Sequence, residues 1–307
     1  MIRQLGNYGN TCYLNCALQC LLNDKLFINR CQKELRGREC ELVSLIQQLK
    51  GTLYSPSGDA MVINKIMSIL NKKNSEYVFG MQHDTDEVLI IMIDIIHEQL
   101  KTKYIDVDVK MNFIDREAYK AKIKHYDVLG YSFISDMYMG QFMNIIRCSC
   151  GHTSCSFDMY NRIVIEGNSE NIITGIYNYC NVETITDYEC DGCHERTTAV
   201  KKSGIYDFPK RLIIVINRYS MRKAPINIDT NIIIEMKNKK WEYTLGVIVQ
   251  HFGIVNGGHY VTDIVRNENE VIRIDDMSGI SVIPINNVLR SYSAYMLIYN
   301  LTVSPFA

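Results

Sequence analysis

The chain has 307 residues, 47% of them hydrophobic and 22% charged, which excludes a disordered polymer and allows one elaborate domain or two compact ones around a sizeable core. With 33 Lys and Arg against 34 Asp and Glu the net charge is −1, so there is no basic excess for nucleic acid or an anionic membrane, and neither is expected as a partner. The 11 cysteines are an odd number and form no disulfide framework, and no signal peptide precedes the first motif, so a reducing cytoplasmic or nuclear compartment is expected.

The first stretch with chemical content is Leu5-Gly6-Asn7-Tyr8-Gly9-Asn10-Thr11-Cys12-Tyr13-Leu14-Asn15. Beyond Cys12, apolar residues recur at Leu14, Ala17, Leu18, Leu21 and Leu22, a spacing that predicts an amphipathic helix starting at the cysteine. A helix start leaves N–H groups unpaired and carries partial positive charge, which favours a thiolate. Gly6 and Gly9 let the backbone fold close to the sulfur, and Asn7 has a carboxamide to offer a developing oxyanion. A single cysteine at such a junction is more commonly a packing residue. Its chemistry therefore depends on what the rest of the chain brings to it.

Helical spacing continues over 34–54 and 59–71, separated by a turn of Ser55, Pro56, Ser57 and Gly58. A polar loop over 71–76 leads to Gly80-Met81-Gln82-His83-Asp84-Thr85-Asp86-Glu87, which opens a long helix reaching about Lys103. Asp84 and Glu87 have the spacing of a capping box, and the same acidic helix start can face a basic ligand. The longest apolar run, 88–93, is far too short to span a bilayer. Residues 104–128 are charged and weakly patterned, and 116–124 reads as a solvated helix or a loop.

From Tyr131 onward, β-branched and aromatic residues in short runs predict strands for the remainder of the chain. Cys148-Ser149-Cys150 and Cys190-Asp191-Gly192-Cys193 flank part of this stretch, and two short-spaced pairs can supply four thiolates to a tetrahedral zinc, with His152 or Cys155 as substitutes for one ligand. The run 210–219 is a continuous apolar strand suited to the centre of a sheet, and 243–250, 260–265, 271–274 and 294–299 are further strand-length pieces of an antiparallel sheet. The polar segment 266–269 predicts a tight hairpin that sets His259 opposite Asp275 or Asp276. Opposed Cβ atoms lie about 4.5–5.5 Å apart, within reach of an imidazole–carboxylate bond that fixes the ring's tautomer and leaves the other nitrogen for a thiol. Gly257 and Gly258 give open backbone beside that ring.

Together these segments resemble the ubiquitin-specific protease family of papain-like cysteine peptidases. The resemblance runs through Leu5 to Asn15, Gly80 to Glu87, Phe208-Pro209-Lys210-Arg211-Leu212-Ile213-Ile214, Gly257-Gly258-His259-Tyr260, Ile274-Asp275-Asp276 and Ala294-Tyr295-Met296-Leu297-Ile298-Tyr299. It implies an α+β fold: a single catalytic domain over 1–307, with a helical thumb (1–130), zinc-ribbon fingers (131–206) and an antiparallel β-sheet palm (207–307). It implies Cys12 as nucleophile, His259 as general base, Asp275 as its orienting partner, and Asn7, assisted by Asp276, at the oxyanion. Gln82, Asp84, Glu87, Gly257, Gly258 and Tyr260 are the implied substrate-binding residues, with the two carboxylates facing the arginine-containing tail of ubiquitin. Cys148, Cys150, Cys190 and Cys193 are the implied ligands of a structural zinc, and no catalytic cofactor is implied. The implied reaction is thiol-dependent hydrolysis, through a thioester, of the bond after the C-terminal glycine of ubiquitin by a monomeric enzyme. A peptidase for another diglycine-ended modifier and a non-catalytic ubiquitin-binding scaffold are the rival readings. Three positions depart from the family pattern: His83 stands for a second Gln, Cys16 for a small Ser, and the first cysteine knuckle is one residue short.

Overall fold

The computed structural model describes residues 2–51, 56–104, 112–218, 224–236, 239–254 and 257–305. Its first half is helical: α1 (Cys12–Leu22), α2 (Lys25–Glu34), α3 (Glu41–Gly51), α4 (Pro56–Lys73), α5 (Thr85–Leu100), α6 (Phe113–Leu129) and α7 (Phe133–Tyr138). Every residue of α1 is buried, so this helix is the axis about which α2, α3, α5 and the sheet are packed.

Several boundaries differ from the sequence reading for local reasons. Within the predicted helix over 34–54 only Glu41–Gly51 forms a continuous helix among the described residues, and an unpredicted helix, α2, precedes it. Asp24 caps α2 by accepting from Phe27 N–H at 3.0 Å, α2 ends at Glu34, and α3 begins only at Glu41, after a turn through Gly37 at φ +80°. Pro56, Ser57 and Gly58, expected in a turn, form the first turn of α4, where a proline's missing N–H is no loss; residues 52–55 lie outside the described residues. The helix expected to reach about Lys103 stops at Leu100, and Thr102 pairs with Tyr131. The weakly patterned 116–124 segment lies in α6, whose Asn112 side chain accepts from Asp115 N–H at 2.9 Å.

Two hairpins follow α7. They contain β1 (Gly140–Cys148) with β2 (Thr153–Tyr160), and β4 (Asn181–Glu189) with β5 (Arg196–Asp207); between them lie β3 (Ile163–Glu166) and α8 (Ile172–Tyr177). The expectation of strands alone beyond Tyr131 fails at α7 and α8, where Ser132 and Asn171 cap the helices with their side chains, accepting from Ile134 and Thr174 N–H. The four hairpin strands form one sheet in the order β2-β1-β5-β4, which sets the two cysteine knuckles side by side at the tips of adjacent strands.

The remaining strands are β6 (Arg211–Asn217), β7 (Ile226–Asn227), β8 (Asn231–Met236), β9 (Lys239–Ile254), β10 (Gly257–Val265), β11 (Glu270–Asp275), β12 (Gly279–Pro284), β13 (Arg290–Ser291) and β14 (Ala294–Val303). The large sheet runs β12-β11-β10-β9-β14-β6-β3, with β8 also on β9. It is antiparallel except at β3, which returns to pair with β6 in parallel. The predicted central strand is β6, and Tyr219 lies outside the described residues. Ile213 and Val215 face the core shared with the helices, while Leu212, Ile214 and Ile216 face a second core on the opposite side. The buried pair Arg211–Asp24, with contacts of 2.6 and 2.8 Å, ties β6 to the cap of α2. Among the described residues, no helix is long and apolar enough to cross a membrane.

Candidate active site

Cys12 is the first residue of α1, and its side chain is directed inward; the residue is only 4% exposed. Asn7 shapes the loop ahead of it. Its Oδ1 accepts from the N–H groups of Gly9 and Thr11, both at 3.2 Å, so its Nδ2 must point the other way, where it bonds Asp276. Gly9 at φ +99° and Asn10 at φ 56° turn the chain, and Asn10 Nδ2 reaches Gly80 O at 2.8 Å, joining the first and second motifs.

The Cys12 thiol is pushed above its ordinary value, first by burial. Tyr260 N–H, bonded to the sulfur, pulls it down, Asp276 raises it again, and the Tyr13 and Cys12 N–H groups pull it down. The helix-start donors are therefore present, as the sequence leads one to expect. Burial outweighs them, however, so the isolated sulfur is not held as a thiolate. The donor from Tyr260 fixes β10 to the start of α1, and Tyr260 directly follows His259 in the chain.

His259 Nε2 donates to Asp275 Oδ1 at 2.8 Å and lies 3.7 Å from Asp276 Oδ1. The hairpin register differs by one residue from the predicted one. Asn267 Oδ1 accepts from the N–H groups of both Asn269 and Glu270, closing a three-residue turn, and Thr262 pairs with Ile274 and Val265 with Val271. His259 therefore lies opposite neither Asp275 nor Asp276, and it reaches Asp275 along the diagonal. Burial works upward on the Asp275 carboxyl, but Ser278 Oγ at 2.5 Å, His259 and Met277 N–H at 2.9 Å together hold it down at about 2. An ionised carboxylate only accepts. Nε2 therefore carries the ring proton and Nδ1 is left basic.

Asp276 is set differently. Its side chain is 4% exposed, Oδ2 accepts from Asn15 Nδ2 at 2.7 Å, and burial is the main cause that raises its carboxyl. Asn15 also donates to Gly6 O at 3.0 Å, so one side chain of α1 ties the Asn7 loop to the Asp276 turn.

The second motif meets the His259 strand at two points. Gln82 Nε2 donates to Gly258 O at 3.4 Å, and Tyr260 Oη donates to Asp84 Oδ1 at 2.8 Å. The capping-box expectation is thereby corrected: Asp84 stands at the N-cap of α5 but makes no side-chain cap bond, because its carboxylate is turned to Tyr260. Asp86 is buried against Tyr295 Oη at 2.5 Å, with Arg162 3.5 Å away. Glu87 is exposed, and its carboxyl is raised by partial burial and then by Asp84 and Asp86. Gly258 admits no side chain, since a Cβ there would meet His251 Nε2 at 2.3 Å, whereas Gly257 faces open space. His83 packs against the Tyr13 and Tyr77 rings.

At the hairpin tips, Cys148, Cys150, Cys190 and Cys193 bring their sulfurs within 4.8 Å of one another, with 3.9 Å between Cys148 and Cys193 and 3.8 Å between Cys150 and Cys190. A tetrahedron with Zn–S of about 2.3 Å has edges of roughly 3.8 Å. The short first knuckle thus still yields a four-cysteine cluster compatible with zinc, and neither His152 nor Cys155 is among its members. His152 and Gly192 N–H point at Cys150 and Cys190 sulfur, the kind of donor that supports a thiolate ligand.

Sequence reasoning missed Asn15, Gln4 and Ser278 as parts of this site. Asn15 and Ser278 lie in or beside the motifs, three residues after Cys12 and Asp275 respectively. Gln4, whose Nε2 holds Asp275 O at 3.1 Å, has no such signal.

The family model for ubiquitin carboxyl-terminal hydrolases matches residues 3–299. The chain belongs to the ubiquitin carboxyl-terminal hydrolase family. Among curated relatives in that family, human ubiquitin carboxyl-terminal hydrolase 21 is 23% identical over 98% of this chain and 62% of its own length. Human ubiquitin carboxyl-terminal hydrolase 2 is 24% identical over 98% of the chain and 55% of its own. The chain thus spans 62% or less of these two relatives. The SAGA Ubp8 DUB module bound to ubiquitin aldehyde aligns over 99% of this chain and 70% of that one, with a TM-score of 0.77 and 19% identity. The fold is therefore that of the ubiquitin-specific proteases: helical thumb, β-sheet palm and a finger sheet carrying the cysteine cluster.

Proposed function

We propose that this chain is a thiol-dependent deubiquitinase that hydrolyses the peptide or isopeptide bond after the C-terminal glycine of ubiquitin. The observation that carries the reading is the convergence on Cys12: the sulfur is bonded by the N–H of Tyr260, and the preceding residue, His259, is oriented by ionised Asp275 at 2.8 Å. The domain is divided into a thumb (1–130), fingers (131–206) and a palm (207–307), with the substrate tail entering between thumb and palm.

His259 Nδ1 takes the proton of Cys12, and the resulting sulfur anion attacks the carbonyl carbon of the terminal glycine. Because burial raises the thiol, this transfer belongs to the reacting pair, with Asp275 stabilising the imidazolium. Asn7 Nδ2, its orientation fixed by the two N–H groups on its oxygen, donates to the oxyanion, and Asp276 holds Asn7 in place. Collapse breaks the C–N bond, the departing amine takes the proton from His259, and a thioester on Cys12 remains. Water activated by His259 then hydrolyses it. Glu87 and the neighbouring Asp84 offer negative charge to the arginine-containing tail, while Gln82, Gly257, Gly258 and Tyr260 form the wall along which a side-chain-free diglycine lies. Cys148, Cys150, Cys190 and Cys193 would hold a structural zinc, whose part is to fix the two finger hairpins to each other.

Cys12→Ala is expected to abolish cleavage of a ubiquitin–amide fluorophore while retaining ubiquitin binding, and ubiquitin with a thiol-reactive C-terminal group is expected to label Cys12 of the unmodified protein. Residual cleavage by Cys12→Ala would remove Cys12 as nucleophile. Binding without labelling would favour a scaffold, and faster turnover of another diglycine-ended modifier would reassign the substrate.

A further inference from the structure

Beside Cys12 lies a narrow cavity whose lining includes Asn15, Cys16, Gln19, Thr262 and Asp276. It has about 10 Å³ of room for a water-sized sphere, enough for one water. Three buried oxygens of these lining residues have no nitrogen or oxygen hydrogen-bond partner among the described residues: Asn15 Oδ1, Thr262 Oγ1 and Asp276 Oδ1. Thr262 is fully buried and its hydroxyl meets only the Cys16 thiol, a weak partner. Asn15 Nδ2 and Asp276 Oδ2 are already spent on each other, which fixes the remaining oxygen of each. Buried polar atoms in native proteins are rarely left unpaired, and three around one small void is a concentrated exception.

The donor and acceptor types around the void complement each other. Asn15 Oδ1 and an ionised Asp276 Oδ1 can only accept, while Thr262 Oγ1 can donate. A single water has two protons for the first two atoms and a lone pair for the third. We infer that this cavity is a specific water site, and that Thr262 and Asn15 are positioning residues that act through it on Asp276 and, by way of Asp276, on Asn7. Asn7 bonds the same Asp276 carboxylate, whose Oδ1 is left without a hydrogen-bond partner, 3.7 Å from His259 Nε2. Without the water, Asp276 can rotate to satisfy Oδ1 and release the Asn7 amide. Cys16, at the position where the family pattern has Ser, makes the wall beside Thr262 a weak hydrogen-bonding one and leaves the hydroxyl to the water.

This inference rests on the proposed hydrolase reading, with Asn7 at the oxyanion, and it has a test that does not depend on activity. A high-resolution crystal structure of the full chain is expected to contain one ordered water bonded to Asn15, Thr262 and Asp276. A dry cavity, or a sodium ion there, overturns the proposal. In kinetics on a ubiquitin–amide substrate, Thr262→Val, which keeps the shape and removes the hydroxyl, is expected to lower kcat about tenfold with KM within twofold, and Thr262→Ser to restore it. In an Asn7→Ala background the Thr262→Val loss is expected to shrink below twofold, because both act on one donor. An undiminished loss in that background marks a purely structural effect, and an unchanged kcat in Thr262→Val refutes the coupling. An unmodified protein with no hydrolase activity would instead refute the functional reading and leave the crystallographic result to stand alone.

Discussion

Asp275→Asn isolates a charge with little change of shape. In the native site, Oδ1 accepts from His259 Nε2 and Met277 N–H, and Oδ2 accepts from Ser278 Oγ. The asparagine oxygen can keep both donors, and its NH₂ meets a hydroxyl that can turn to accept. What disappears is the negative charge beside the imidazolium that the proposed mechanism forms as Cys12 loses its proton. Two unit charges about 4 Å apart interact by about 4 kcal/mol at an effective dielectric of about 20. The two side chains are 25% and 16% exposed, so solvent screening brings the expectation to about 2–4 kcal/mol, or about 30- to 1,000-fold in kcat. The assay is steady-state cleavage of a ubiquitin–amide fluorophore near neutral pH, with KM expected to change little, since Asp275 does not face the tail. Stability supplies a second readout with a fixed sign. The carboxyl is lowered from 3.8 to about 2, so its contribution, about 2.5 kcal/mol, is present above about pH 4 and is lost as the pH falls toward 2. The stability gap between the two proteins should therefore narrow on acidification. A variant within threefold of the parent in kcat, with a gap independent of pH, would refute the assignment of Asp275.

Because burial raises the Cys12 thiol, the rate of its alkylation by iodoacetamide in the free protein should keep climbing above pH 9; a plateau reached by pH 7 would mean that a preformed ion pair outweighs desolvation. Glu87→Gln should raise KM for the ubiquitin substrate about three- to fivefold at low salt and little at high salt, as expected for a partly exposed charge, and KM independent of salt in both proteins would argue against a cationic tail at this helix start. Cys193→Ser should reduce bound zinc from about one per chain to none and lower the melting temperature, and a parent purified without zinc, with unchanged melting after chelation, would count against the metal.

What could be read from the sequence follows from the range of the interactions involved. The start of α1, the strand character of β6 and the pairing of β10 with β11 are written in short-range periodicity, and all are present in the structure. Helix ends were less legible, because a single cap decides them. Asp24 begins a helix that apolar spacing did not reveal, and Ser132 and Asn171 place short helices inside a stretch rich in strand formers. The one-residue register difference at His259 has the same origin, a side chain closing a turn. His259 still meets Asp275, since an imidazole spans a diagonal as well as a direct pair. The cysteine cluster was legible as two pairs, but their meeting depends on β1 and β5 being neighbours, a fact of sheet order that no local pattern carries.

The capping box and the thiolate show a different limit. In both, a local rule identified the right residues and misjudged their state, because a distant group intervened. Asp84 has the position and chemistry of a cap, yet Tyr260 from β10 takes its carboxylate. Cys12 has helix-start donors, yet the sheet and α1 bury it so fully that the neutral thiol is favoured. The same burial has a use. Cys12 itself is buried, so charge that develops on its sulfur in the proposed mechanism is screened by solvent less than at an open helix end. Under the proposed mechanism, reactivity is then conditional on the substrate carbonyl and the base being present together. A sulfur that is nucleophilic only under that condition is protected from casual oxidation and alkylation, which a permanently ionised, exposed thiolate is not.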